Sequence, residues 1–148
     1  MAIQPSNPET YTPPQPLSQS DEKTWAMIAH LSTLVNLITG FFGPIAALVI
    51  YLVFKERSRY VAYHSMQSFV FQLIGVVGGG VLTGIAWFLT GVLSAFVVGI
   101  LCIPFACIFS AIPLAAIVYG IIGGVQTNQG QDFKYWLVGD WVRSTLTG

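Results

Sequence analysis

YVAYHSMQSFVFQLIGVVGGGVLTGIAWFLTGVLSAFVVGILCIPFACIFSAIPLAAIVYGIIGGVQTNQGQ, residues 60–131, is a run of 72 residues without a single Asp, Glu, Lys or Arg. A second such run, Thr24 to Phe54, adds 31 more. An ordinary soluble domain carries roughly 25% charged residues and spreads them over its surface. Here charged residues make up 8% of the chain and hydrophobic ones 54%. The charges also fall into three groups: Glu9, Asp21, Glu22 and Lys23; Lys55, Glu56, Arg57 and Arg59; Asp132, Lys134, Asp140 and Arg143. The two uncharged runs between them exclude a soluble fold. They call for an all-α, multi-pass transmembrane helical bundle.

The remaining composition narrows the partners. Net charge is zero, so the chain lacks the basic surface that neutralises nucleic-acid phosphates. Cys102 and Cys107 lie deep in an apolar run, too few for a disulfide framework or a zinc site, and read as small core residues. Residues 1–20 contain Pro5, Pro8, Pro13, Pro14 and Pro16, with no Lys, no Arg and no apolar run. That is neither a cleavable signal nor a transit peptide; it reads as a disordered, Pro-rich cytoplasmic tail.

About 20 residues of helix cross the hydrocarbon core of a bilayer. The longer run therefore holds two comfortable spans, and Thr90-Gly91 is the expected break, giving spans near 64–89 and 95–123. In the shorter run, Gly40-Phe41-Phe42-Gly43-Pro44 favours a hairpin, because glycine ends helices and proline suits the first turn of a new one. Its arms are helices over about 20–39 and 44–55. The second is short enough to be re-entrant rather than fully spanning. Four crossings place Lys23, Lys55, Arg57, Arg59, Lys134 and Arg143 on one side, as the preference of basic residues for the cytoplasm demands. The expected topology is four helices with both termini cytoplasmic, the membrane domain occupying 21–143 and residues 144–148 forming a tail. Tyr60, Tyr63, Tyr135, Trp136 and Trp141 flank the spans as interfacial aromatics.

Helical periodicity then sorts the faces. In the third span His64, Ser65, Ser68, Gln72, Gly75, Gly79, Thr83, Ala86 and Thr90 share one narrow arc, with Leu82 the only large apolar intruder. Small and polar residues of this kind mark helix–helix contacts, and the bulky aliphatics opposite meet lipid. The first span repeats the pattern with Ala26, Ala29, Ser32, Thr33, Asn36 and Thr39, with His30 on its edge. The fourth has Ala116, Gly120 and Gly124 at four-residue spacing, a packing seam open to a neighbouring helix or a second copy. Pro104 and Pro113 predict a kink.

Chemistry must come from the few polar residues within the spans: His30, Asn36, His64, Gln67, Gln72 and Gln126. Interhelical hydrogen bonding is their plainest role, worth on average about 0.6 kcal/mol per contact. A sharper reading makes His30 or His64 a haem or pigment ligand. No carboxylate lies within a span for acid/base catalysis, and Gly78-Gly79-Gly80 is followed by no phosphate-binding Gly-Lys-Ser. Ser65 and Ser68 beside His64 lack a third member to orient a triad. No enzyme, resident cofactor or metal is therefore expected.

Three segments carry a resemblance. Trp25 to Ser32 opens the first span, Tyr60 to Gln72 the third, and Ala116 to Tyr135 closes the fourth. Over residues 21–143, and most distinctively in His-x-x-Gln-Ser-Phe-x-Phe-Gln from His64 to Gln72, the chain resembles a bacterial family of small four-span membrane proteins. That family is grouped with the twenty-kilodalton subunit of the chloroplast inner-envelope (Tic) protein translocon. The chain departs from the family pattern at Val70, usually Asn, and at Tyr135-Trp136, often Tyr-Pro. The resemblance implies a non-enzymatic protein of the bacterial inner membrane, a translocation or complex-assembly component. The expected working surface is a polar groove lined by His30, Asn36, His64, Ser68 and Gln72, with Gly75, Gly79, Ala116, Gly120 and Gly124 packing the helices. Expected partners are the lipid bilayer and other membrane proteins or further copies of the chain. The alternatives are the pigment- or haem-binding subunit and a small-solute channel or transporter.

Overall fold

The computed structural model describes residues 14–147, so the Pro-rich segment up to residue 13 lies outside the described residues. Among the described residues the chain is helical throughout, without strands. Helix α1 (Gln19–Leu31) tightens into a 3-10 turn over Ser32–Val35 and ends as the short α2 (Asn36–Thr39). Gly40, at φ 82°, makes the turn into α3 (Gly43–Phe54), whose first turn contains Pro44. Helix α4 (Arg59–Gln72) passes through a π-helical segment, Leu73–Gly78, directly into α5 (Gly79–Ser94). Helix α6 spans Gly99–Asn128, and α7 spans Gly139–Thr147.

Two helices are long and apolar enough to cross a membrane: the composite Arg59–Ser94, 36 residues, and Gly99–Asn128, 30 residues. At 1.5 Å per residue they reach about 54 and 45 Å. The apolar α3 has 12 residues, about 18 Å, and reaches only part-way along its neighbours. The long composite helix thus has two unlike halves. Its first half, α4, packs among α1, α3 and α6, with α7 across its start, whereas α5 pairs with α6 alone.

Local chemistry explains the joints. Ser18 caps α1, its hydroxyl accepting from the Asp21 N–H at 3.2 Å, and Ser58 caps α4 by accepting from the Val61 N–H at 3.1 Å. The Ser58 hydroxyl also donates to the Glu22 carboxylate at 2.6 Å, joining two of the charge clusters. Residues 14–18 are extended rather than helical, and the Leu17 N–H and Gln15 carbonyl both bond to Arg57, so this end of the Pro-rich segment lies against the turn after α3. The third charge cluster joins through Arg59, whose guanidinium donates to the Leu146 carbonyl at 3.2 Å. Residues 144–147, expected as a tail, thereby form the docked end of α7. The described residues of all three charge clusters gather at one end of the bundle.

Two other expectations need adjusting. Helix α5 runs through Thr90-Gly91 and turns only at Ala95–Val98. Thr90 and Ser94 return their hydroxyls to the carbonyls four residues earlier, and nothing crowds Gly91. The glycine that matters is Gly99, where α6 starts hard against the backbone of Thr90 and Ser94. Helix α6 contains both prolines without ending at either, which is compatible with the expected kink. Pro113 leaves the Phe109 carbonyl without its helical donor, and the Thr83 hydroxyl on α5 lies 2.9 Å from that oxygen, its one proton shared with the Gly79 carbonyl at 2.8 Å. Finally, Cys102 is half-buried and Cys107 exposed, on outward faces of α6 rather than in the core. Both lie among apolar neighbours that face outward, on the first half of α6.

Candidate functional site

The residues expected to line a groove come together between α1, α4 and the segment after α6, as a filled junction. His30, His64, Ser68 and Gln72 have no exposed surface, and Asn36 is 6% exposed. Their side chains form two adjoining hydrogen-bond networks that leave no open channel.

The first network fastens the hairpin. The Asn36 carbonyl oxygen accepts from the Gly43 N–H at 2.8 Å, and its amide donates to Gln72 Oε1 at 3.0 Å. The Gln72 amide donates in turn to Ser32 Oγ and Ser68 Oγ, both at 2.9 Å. Those two hydroxyls converge on the Ala29 carbonyl at 2.8 and 2.7 Å. Position 43 must be glycine, because a Cβ there would run into Asn36 and Gln72. The 3-10 turn after α1 is what carries Ser32 and Asn36 to the face that meets α4.

The second network is built on histidines. Gln67 Oε1 accepts from the Tyr135 N–H at 3.3 Å, which turns its amide nitrogen toward the Phe133 carbonyl at 2.9 Å and His64 Nδ1 at 3.0 Å. His64 Nδ1 is therefore an acceptor, and His30 Nε2, 3.1 Å away, carries the proton it receives. His30 Nδ1 then accepts from the Tyr135 hydroxyl at 2.9 Å. Burial pushes the Tyr135 phenol well above its ordinary pKa, so it stays the donor. The chain of donation runs Tyr135 to His30 to His64 and stops there: His64 Nε2 is buried with no protein partner among the described residues.

Aromatic packing closes the junction. Tyr135 stacks on Phe71, ring centres 3.9 Å apart and planes 7° from parallel, while Phe133 stands edge-on to His30 at 5.4 Å. Tyr60 and Tyr63 cover His64 at 4.4 and 5.1 Å. Both nitrogens of His30 are engaged and neither imidazole has an open side, so a haem or pigment macrocycle does not fit here. No group of three or more His, Cys, Asp or Glu side chains is placed to hold a metal ion among the described residues.

Tyr135 departs from the interfacial role expected of it: it is fully buried, whereas Trp136 and Trp141 are 81% and 60% exposed. Sequence reading names Gln67 as a polar span residue but leaves it out of the groove, and passes over Phe133. The signals were available: Gln67 lies one helical turn from His64 on the same face, and Phe133 and Tyr135 alternate with polar residues in a segment that would otherwise read as solvated.

The glycines and Ala116 of the packing seam lie at close helix contacts. A Cβ on Gly75 would lie 2.7 Å from that of Ala116, and one on Gly120 would lie 2.8 Å from Thr33. Gly79 meets Ile112, and Gly124 meets Leu31. The seam on α6 is therefore filled by α1 and the π segment of the same chain, and is closed to a second copy.

The magnetosome magnetite crystal formation protein family matches residues 21–142. The chain belongs to this family. The matched region contains every residue of both networks, and together with the two long apolar helices it marks the chain as a membrane protein. It coincides with the region that carries the resemblance read from the sequence, but the likeness to the Tic subunit is not shown. No curated protein and no solved structure matches the chain.

Proposed function

We propose that the protein is a non-enzymatic, four-span component of a bacterial inner membrane, with both termini cytoplasmic, that organises a membrane complex. The observation that carries this reading is the closure of the junction. Every expected groove residue is spent on holding helices together, and none faces a space where a substrate could react.

Two features bear on how the family's role in magnetite crystal formation would apply. Iron ions bind hard oxygen ligands such as carboxylates, and all six Asp and Glu residues lie in the three charged clusters. The turns at Gly40–Phe42 and Ala95–Val98 carry none. Under the proposed topology the side opposite the cytoplasm offers no acidic surface to a growing mineral, which favours an organising role over direct templating. Passage of a polypeptide, the role implied by the Tic resemblance, or of a small solute, finds no route through a junction whose central Gln72 is fully buried.

Two measurements test the reading. Reporter fusions at Phe42, Phe96 and Thr147 should place the first two opposite the third; Phe96 and Thr147 on one side would overturn the topology. Extracted from its own membrane in mild detergent, the chain should migrate in a larger assembly of fixed composition. A solitary 16.1 kDa chain would overturn the organising role.

A further inference from the structure

The junction does not use the cavity at the charged end of the bundle. It has a volume of about 400 Å³ and lies between the end of α3, the start of α4 and α7, within the range of about 300–1,000 Å³ typical of ligand sites. Lys55, Arg59 and Arg143 contribute cations to its wall, Tyr51 and Tyr63 contribute rings, and Leu146 an apolar side. No carboxylate lines it among the described residues.

Arg143 is fixed by an ion pair, whereas Lys55 and Arg59 keep uncompensated charge among the described residues. Arg143 donates to both Asp132 oxygens at 2.7 Å and lies over the Tyr63 ring at 4.6 Å. Asp132 stands outside the cavity wall, so this pair fixes the guanidinium while keeping the cavity free of negative charge. Arg59 is held by the uncharged Leu146 carbonyl. Lys55 and Arg59 form no ion pair among the described residues. Trp136 and Trp141, both strongly exposed beside and on α7, are the aromatics that settle at headgroup depth. They put the cavity at the level where lipid phosphates lie.

We propose that this cavity binds the phosphate headgroup of an anionic phospholipid, with Lys55 and Arg59 as the principal cations, Arg143 completing the site and the tyrosine rings enclosing the glycerol end. The site rests on membrane residence and does not depend on the organising role.

Native mass spectrometry of the full chain in detergent micelles, titrated with phosphatidylglycerol or phosphatidylcholine, tests it. The unmodified chain should retain phosphatidylglycerol at least tenfold more tightly; equal retention would overturn the proposal without recourse to any variant. Lys55→Gln with Arg59→Gln should weaken phosphatidylglycerol about thirtyfold, or about fivefold per cation. That is the equivalent of about 1 kcal/mol for each basic residue near an anionic surface. Lys23→Gln with Lys134→Gln removes the same charge from the same end outside the cavity and should leave the affinity unchanged; an equal loss there would reduce the preference to general electrostatics and overturn the site. Displacement of the lipid by millimolar inorganic phosphate would assign the cavity to a free anion instead.

Discussion

The two halves of the long helix Arg59–Ser94 obey different packing rules. Along α4, nearly every polar side chain has a named partner, and the bonds cross to α1, to the hairpin and to the segment after α6. Along α5 the polar links to α6 are two, Thr83 to the Phe109 carbonyl and Trp87 Nε1 to Ser110 Oγ at 2.9 Å. The rest of that arm is apolar surface, with Phe88, Leu101 and Phe105 at 70%, 73% and 65% exposure. In water those side chains would collapse onto each other. In hydrocarbon they gain nothing by doing so, and hydrogen bonds and small-residue contacts decide which helices stay together. The α4 half is therefore the hydrogen-bonded half of the protein, and the α5–α6 arm is held mainly by packing.

Gln72→Leu is the sharpest test of that division. It removes an amide with three bonds and leaves the Asn36 amide without an acceptor, at an expected cost of about 3 kcal/mol from lost bonds plus one desolvated donor. Ser110→Ala, its counterpart in the arm, takes the acceptor of Trp87 and a local bond to the Ala106 carbonyl, and should cost about 0.5 kcal/mol. Denaturation of the detergent-solubilised protein by sodium dodecyl sulfate compares them directly. Equal costs would erase the distinction between the halves.

Tyr135→Phe asks whether the segment after α6 belongs to the hydrogen-bonded half. The hydroxyl's bond to His30 is worth about 1 kcal/mol, and the stacking on Phe71 survives the change. Because burial raises the folded phenol's pKa, its contribution is complete below the unfolded value of about 10. It falls as pH rises past that value, since the unfolded chain then releases a proton that the folded one retains. Melting temperatures at pH 8 and above pH 10 should show the gap between Tyr135→Phe and the unmodified protein narrowing. A gap indifferent to pH would place the phenol outside the buried network.

These contrasts also mark what a linear sequence displays. The uncharged runs and the small/polar arc from His64 to Thr90 are local patterns, and from them the helices, the hairpin at Gly40 and the packing face follow. Helical periodicity brings His64, Ser68 and Gln72 into line because they sit on one element. It cannot say whether the space they face is open or filled, which depends on partners 36 residues away in sequence for Asn36 to Gln72 and 105 for His30 to Tyr135. The 3-10 turn that aims Ser32 and Asn36, and the return of Phe133 and Tyr135 to the bundle, are settled by those distant bonds. The turn between α5 and α6 lies beyond the expected break for the opposite reason: Gly91 looks like a break, but an exposed glycine in a lipid-facing helix has no cause to end it.

Thr83→Val gives the smallest expected effect and the most specific one. Valine keeps the volume and removes the hydroxyl that serves the carbonyl freed by Pro113, at a cost of about 0.6 kcal/mol, the average for such bonds in a membrane. Amide exchange should quicken in α5 and α6 and stay unchanged in α4; equal loss of protection in α4 would show that the arm is not a separate unit. Pro113→Ala supplies the missing control, because it restores the N–H that bonds the Phe109 carbonyl within α6. In that background Thr83→Val should cost almost nothing, so the double-mutant cycle should return a coupling close to the whole single-mutant effect. A null coupling would mean that small-residue packing alone holds the arm, with Gly75 and Gly79 against Ala116 and Ile112 carrying what the hydroxyl is credited with.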